Sequence, residues 1–349
     1  MAATALAVLT AAGVAQAQDA GKLFLFNWTQ YMDPEIIKAF EEEYDVQVVE
    51  SYFNSNGEMF AKMRAGGDSQ YDVVVPSNYF VPRLIETGLI QPLDHEKIPN
   101  LDNLLPKFRD PNYDPGNEYT AAYQWGTTGI IYNSDSFPDA PHSWALLLDP
   151  QVNPQYPFSL ITDGQVALGA ACAYQGKPYD CMGEENWTEA AKLILETKSR
   201  DNFNGFVDGT PTIQQISRGV SHAGMTYNGD YIFYKSENPD GFKNIEFMLP
   251  KEGTELWVDN MAIPANAPNP DMAHKFINFI LEAKIGAQLS NYNYYSTPNE
   301  AAKPHLDEVL QEPPASPTDE QMERLSFTPS LKGDQLKLTQ QLWTEVQSR

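Results

Sequence analysis

The chain has 349 residues, 42% of them hydrophobic, with 47 acidic side chains against 23 basic ones and a formal net charge of −24. That length is ample for a buried core and points to two domains rather than one. Nucleic acid and anionic membrane surfaces are excluded as expected partners, because both reward clustered Lys and Arg, whereas a cationic ligand would be drawn in by such a field.

Met1 to Ala17 carry no charge, are dominated by Ala, Val and Leu, and end in Ala15-Gln16-Ala17, an A-x-A cleavage pattern. No basic n-region precedes the apolar stretch, which is short for a membrane span. Residues 1–17 therefore read as an export signal, and the expectation is a soluble protein of the bacterial periplasm with no membrane insertion. Strand and helix patterns alternate from there. Lys22–Phe26 reads as a buried strand, and Asp33-Pro34-Glu35 as an N-cap with a first-turn proline and acid. Ile36, Ile37, Phe40 and Tyr44 follow at helical spacing. Val46–Val49 is a second strand, Gly57–Ala65 a second helix, Tyr71–Val75 a third strand, and Pro82–Thr87 a short helix stopped by Gly88. This βαβαβ start marks a parallel sheet with right-handed crossovers.

Leu93–Pro115, rich in Pro, Asn and Asp, reads as a long surface excursion. Ala121–Asn133 returns to strand character, and its small residues suit a strand passing between domains. A second αβ series runs from Ser159 to Pro250. It has helices near Trp187–Thr197 and between Thr210-Pro211 and Gly219, with strands at His222–Tyr227 and Ile245–Leu249. An amphipathic helix opened by Asn269-Pro270-Asp271 presents Ala273, Phe276, Ile277, Ile280 and Leu281 on one face, and a last helix spans about Gln335–Val346. Cys172 and Cys181, the only cysteines, flank a turn-rich loop and read as a local disulfide in an oxidising compartment.

Six times an aromatic residue falls beside a carboxylate or amide where a hydrophobic run ends. These places are Asn27-Trp28-Thr29-Gln30-Tyr31, Ser77-Asn78-Tyr79-Phe80, Trp125-Gly126-Thr127, Tyr227-Asn228-Gly229-Asp230-Tyr231, Trp257-Val258-Asp259-Asn260 and Tyr294-Tyr295-Ser296-Thr297. Ligands of open α/β sheets collect beyond the carboxyl ends of the strands, and aromatic faces attract organic cations. The pattern predicts a cleft for a small amine. No catalytic residues, cofactor or metal are expected. None of His95, His142, His222, His274 and His305 has metal-ligand spacing, and G-x-S-x-G, the P-loop and G-x-G-x-x-G are absent. A sugar-binding protein, a binder of some other organic cation and a secreted glycoside hydrolase stay open as rivals, since an aromatic cleft also suits sugars.

Several of these stretches, joined by Tyr71-Asp72-Val73-Val74-Val75-Pro76-Ser77-Asn78-Tyr79, by Trp257 to Ala267 and by Tyr295-Ser296-Thr297-Pro298-Asn299, resemble the spermidine/putrescine-type binding proteins of bacterial ABC importers. They stand in that family's order over most of the chain after residue 20. The resemblance implies the two-lobed α/β periplasmic binding protein fold (type II), its hinge crossed by strands and its ligand cleft between lobes. The expected division is 18–127 plus about 258–297 for the N-terminal lobe, and about 128–257 plus 298–349 for the C-terminal lobe. It implies Trp28 and Tyr227 as ring walls along the ligand's methylenes, with Thr29, Ser77 and Tyr79 near one ammonium, and places Tyr31 in the same motif. It further implies Trp257 over the chain, Asp259 paired with an interior ammonium, and Tyr295 closing one side. Asp230 falls where putrescine-selective members carry an acid. Two positions depart from the family pattern: Gln30 stands where an acid is usual, and in Ile161-Thr162-Asp163-Gly164-Gln165 a glutamine replaces the expected glutamate. The partners implied are a polyamine such as putrescine or spermidine and an inner-membrane ABC permease, with the protein itself a monomer.

Overall fold

A computed structural model describes residues 21–29 and 31–349; the export-signal reading and Gln30 lie outside the described residues. The first half runs β1 (Gly21–Trp28), α1 (Pro34–Tyr44), β2 (Val46–Phe53), α2 (Asn56–Arg64), β3 (Val73–Val74), α3 (Val81–Glu86), β4 (Ile90–Gln91) and β5 (Thr120–Asn133). The second αβ series comprises α4 (Ala145–Leu148), β6 (Phe158–Leu160), α5 (Gly164–Tyr174), α6 (Glu184–Lys198), β7 (Phe203–Phe206), α7 (Gly209–Ser217), β8 (Ala223–Tyr227), α8 (Asn228–Glu237) and β9 (Ile245–Met248). The chain then continues through β10 (Thr254–Pro264), α9 (Pro270–Ile280), α10 (Ala283–Asn293), α11 (Asp319–Glu323), β11 (Leu325–Phe327) and α12 (Gly333–Ser348).

The strands join in the order β2-β1-β3-β10-β5-β8-β6-β7. β1 pairs in parallel with β2 and β3, as the βαβαβ start predicts, and β10 enters antiparallel between β3 and β5. Both faces of β1 are covered. Leu23 and Leu25 join a cluster with Phe40 of α1 and Phe276 of α9, while Phe26 joins Phe53, Met59 and Val74. Burial on two sides explains why Leu23 to Phe26 is an unbroken apolar run rather than an alternating one.

Local chemistry sets the helix ends. The Asp33 carboxylate accepts from the Glu35 N–H at 2.9 Å with Pro34 in the first turn. Asn269 likewise accepts from the Met272 N–H at 3.3 Å. Such caps satisfy backbone donors that have no partner inside the helix. All five residues predicted for the apolar face after Asn269 are buried.

β5 is the strand that crosses. Residues 120–127 pair with β10, whereas 128–133 pair with β8 and β9. A second core lies beyond the crossing, where Phe158, Leu168, Trp187 and Ile194 are buried and Leu336, Leu342 and Trp343 of α12 pack against them. The Cys172–Cys181 disulfide is formed within this second core, and both cysteines are fully buried.

Two expectations need correction. Leu93–Pro115 is not simply a surface excursion: Leu104 and Phe108 are fully buried in the first core, reached through short 3-10 turns. Polar composition hid them, because isolated apolar residues in turns carry no periodicity. The third strand is also shorter than Tyr71–Val75. Its ladder covers Val73 and Val74, while Asp72 turns its carboxylate to cap the backbone N–H groups of Phe24 and Asn269.

Candidate functional site

A cavity of about 380 Å³ opens between the first and second αβ series. Trp28, Thr29, Tyr31, Asn56, Ser77 and Tyr79 line it from the first αβ series, and Asp163, Gln165, Val166, Thr210, Tyr227 and Asp230 from the second. Glu255, Trp257 and Asp259 of β10, with Tyr295 and Thr328, complete the wall. Every ligand contact implied by the family resemblance lines this one cavity, apart from Gln30, which the described residues omit. Six aromatic rings and four carboxylates are present, and no Lys, Arg or His is among the lining residues.

Asp259 lies deep in the wall, only 6% exposed. It accepts from the Tyr31 hydroxyl at 2.8 Å and from the Ser77 hydroxyl at 2.5 Å. Asn56 holds the Ser77 side in place: its amide donates to the hydroxyls of Ser77 and Tyr79, both at 3.0 Å, and its carbonyl oxygen accepts from the Ser77 N–H. Burial pushes the Asp259 carboxyl up to about 6, and the two hydroxyl donors pull it only part of the way back. Asp230 accepts from Tyr295 at 2.6 Å and from Thr210, and burial raises its pKa as well. None of the ion pairs among the described residues includes Asp163, Asp230, Glu255 or Asp259. The cavity thus gathers four carboxyl groups that no cation among the described residues pairs. Residues 35–318 match the family of bacterial extracellular solute-binding proteins.

The chain belongs to that family.

Two relatives and one solved structure sharpen the comparison. The putrescine/cadaverine-binding protein of Pseudomonas aeruginosa is 31% identical over 349 residues, covering 97% of each chain. The spermidine/putrescine-binding periplasmic protein of Escherichia coli is 35% identical over 298 residues, covering 83% of this chain and 81% of its own. The spermidine/putrescine ABC transporter substrate-binding protein PotD of Streptococcus pneumoniae, solved with calcium and HEPES, superimposes with a TM-score of 0.82 at 30% identity. That superposition covers 93% of this chain and 98% of the other. The relatives named here are substrate-binding transport proteins rather than enzymes. Among the described residues there is no group of three or more His, Cys, Asp or Glu able to hold a metal ion, and no helix is long and apolar enough to cross a membrane.

In this solute-binding protein the rings are fixed by their neighbours. The Trp28 indole donates to the Val75 carbonyl at 3.0 Å and packs on Phe53 at 4.5 Å. Trp257 stands edge-on between Tyr227 at 5.9 Å and Tyr295 at 5.1 Å. Two glycines make room for these rings. A Cβ on Gly126 would lie 2.3 Å from the Trp257 ring, and one on Gly229 would lie 2.3 Å from the Tyr295 ring. Gly126→Ala is therefore expected to displace the indole and destabilise the fold by about 1–3 kcal/mol. Urea unfolding would show this as a lower midpoint; an unchanged midpoint would mean that the ring swings aside freely.

Trp125, the partner of Gly126 in the sequence pattern, is not in the cavity. It is 5% exposed, sits in the first core against Phe108, and donates its indole N–H to the Thr297 carbonyl at 3.0 Å. Successive residues of a strand face opposite sides, so the neighbour of a residue facing the cavity turns inward. Gln165 reaches the cavity but spends its amide on the Pro329 carbonyl at 2.6 Å. Asp163 is both N-cap and lining residue, accepting from the Gln165 and Val166 N–H groups at 2.9 and 3.2 Å.

Sequence reasoning missed Asn56, Val166, Thr210, Glu255 and Thr328. Glu255 had a signal: with Trp257 and Asp259 it forms a period-2 set on β10. Asn56 and Thr328 had none, since chain-distant bonds place them. The backbone carbonyl of Thr328 accepts from Asn78 at 3.0 Å, and the Asn78 side-chain oxygen accepts from the Val258 N–H at 3.1 Å.

Proposed function

We propose that this chain captures a linear di- or polyamine between its lobes and delivers it to an ABC import permease from the bacterial periplasm, acting as a monomeric binding protein with no catalytic role. The observation that carries this reading is a cavity walled by aromatic rings and carboxylates with no basic side chain lining it. The ligand's methylenes would lie along Trp28, Tyr227 and Trp257, and its ammonium groups would meet Asp259 and Asp230. Each ammonium resting on a ring face would contribute about 0.5–2 kcal/mol. The ionic contacts favour cations over neutral sugars of similar size, because a sugar leaves the buried carboxylates uncompensated.

The lobes in this reading are 18–127 plus about 258–297, and about 128–257 plus 298–349. The change of partner along β5 between residues 127 and 128 supports that division. So do the separate cores around Leu25 and Phe276 and around Phe158 and Trp187. A ligand touching both lobes favours the closed arrangement, since only that state makes all the contacts.

Calorimetric titration of the ligand-stripped protein with putrescine, cadaverine, spermidine, agmatine and a panel of neutral sugars tests the proposal. Binding of amines that weakens with added salt, without response to sugars, is the expected result. Heat from a sugar and none from any amine would overturn it.

A further inference from the structure

Glu255 belongs to no part of the site anticipated from the sequence, yet it lines the cavity and is 2% exposed. Residues 255, 257 and 259 of β10 face the same side, so this strand presents a carboxylate, an indole and a second carboxylate in a row. Four residue steps separate the two acids, about 13 Å of extended backbone. Their surroundings differ. Asp259 is grouped with Tyr31, Ser77 and Tyr295, whose hydroxyls converge on it or on Asp230. Glu255 is bonded on one oxygen by the Thr128 hydroxyl and on the other by the Thr328 hydroxyl at 2.7 Å. Asp163 is close enough for its charge to oppose ionisation of Glu255, and both acids act on Tyr79 and Tyr227. The cavity therefore has two negative poles with the Trp257 ring between them.

At the Asp163 pole the family pattern leads one to expect a second acid at position 165. Here Gln165 is neutral, and its amide is bound to the Pro329 carbonyl. Each oxygen of Glu255 accepts a single hydroxyl, which leaves lone pairs free, and the described residues offer it no cation. We propose that Glu255 supplies the anionic contact at this pole in place of Gln165, so that the site selects amines long enough to put a positive centre at both poles, a linear triamine over a short diamine. This rests on the amine-binding reading above and assigns its selectivity to a residue on a different strand.

Burial holds the Glu255 carboxyl near 7, with the Thr128 hydroxyl offsetting part of that rise, so an arriving ammonium at neutral pH would drive a proton off it. The groups facing it are Thr128 on β5, Asp163 before α5, Tyr179 between α5 and α6, Tyr79 after β3, Tyr227 at the end of β8 and Thr328 after β11.

The test uses the full chain, wild type and Glu255→Gln, titrated with spermidine and putrescine at pH 8. Glu255→Gln is expected to reduce the ratio of spermidine to putrescine affinity at least tenfold. An unchanged ratio, whether the two affinities fall together or stay put, overturns the proposal, because a carboxyl that merely ties β5 to β10 would not discriminate by ligand length. A measurement on wild-type protein covers the case in which the variant fails to fold. Titrations at pH 7 in buffers of different ionisation heat are expected to show more protons released with spermidine than with putrescine, and equal release overturns the proposal. Wild-type protein that binds neither amine refutes the underlying amine reading instead, a failure separate from loss of selectivity.

Discussion

Asp259→Asn is expected to cut the affinity for putrescine and spermidine by about 100-fold, because removing one member of a buried charge pair costs about 2–5 kcal/mol. The side chain keeps its shape, so the pocket is not remodelled. One of the two hydroxyls on Asp259, from Tyr31 or Ser77, would face the new amide nitrogen and would need to turn to accept from it. Without ligand the substitution should not harm the fold. Wild-type Asp259 is buried and has no cation, so its ionised form is a burden to the empty protein above about pH 6. The thermal midpoint of the empty variant at pH 8 should therefore equal or exceed that of wild type. Calorimetry paired with thermal unfolding reads both quantities. Unchanged affinity in a folded variant would remove Asp259 from the ammonium site.

The second large effect is on pH. Burial raises the Asp259 carboxyl to about 6 from 3.8 and the Glu255 carboxyl to about 7 from 4.5. Unfolded chains release these protons at the lower values, so between about pH 4 and 7 the folded protein binds more protons than the unfolded one. Stability of the ligand-free protein must then fall as pH rises through that window and level off above it. Each group contributes on the order of 3 kcal/mol to that fall. Amine affinity moves the other way. Below about pH 6 a ligand must displace a proton from Asp259, so binding tightens from pH 5 to pH 8. Unfolding midpoints from pH 4.5 to 8, with and without putrescine, should diverge as pH rises. Parallel curves would refute the idea, and Asp259→Asn should flatten the ligand-free slope, which separates this carboxyl from the general effect of a −24 charge.

Much of the fold could be read from the sequence where periodicity is strong. The apolar run at β1, the Asp33-Pro34 cap and the amphipathic face of α9 depend on neighbours in sequence, and each appears in the structure as expected. The site was legible where aromatic and polar residues cluster, at strand ends in Trp28-Thr29 and Ser77 to Tyr79 and within β10 in Trp257 to Asp259. Trp125 shares that local pattern but points into the core, because local composition does not reveal which way a strand residue faces. Asn56, Thr210 and Thr328 were illegible for a different reason. Their roles come from hydrogen bonds to residues 20 to 250 positions away, and nothing in their own neighbourhoods marks them.

The position of β10 has a consequence for how the molecule is made. It lies between β3 and β5, so the sheet is interrupted there until residues 254–264 have been synthesised, although β1, β2, β3 and β5 are complete by residue 133. A growing chain would carry β3 and β5 with open edges while the whole second αβ series is still being added. Neither sheet edge can close early, because the strand that fills the gap is encoded about 120 residues later, and loop closure over such a length is entropically costly. This order delays the native lock until most of the polypeptide exists.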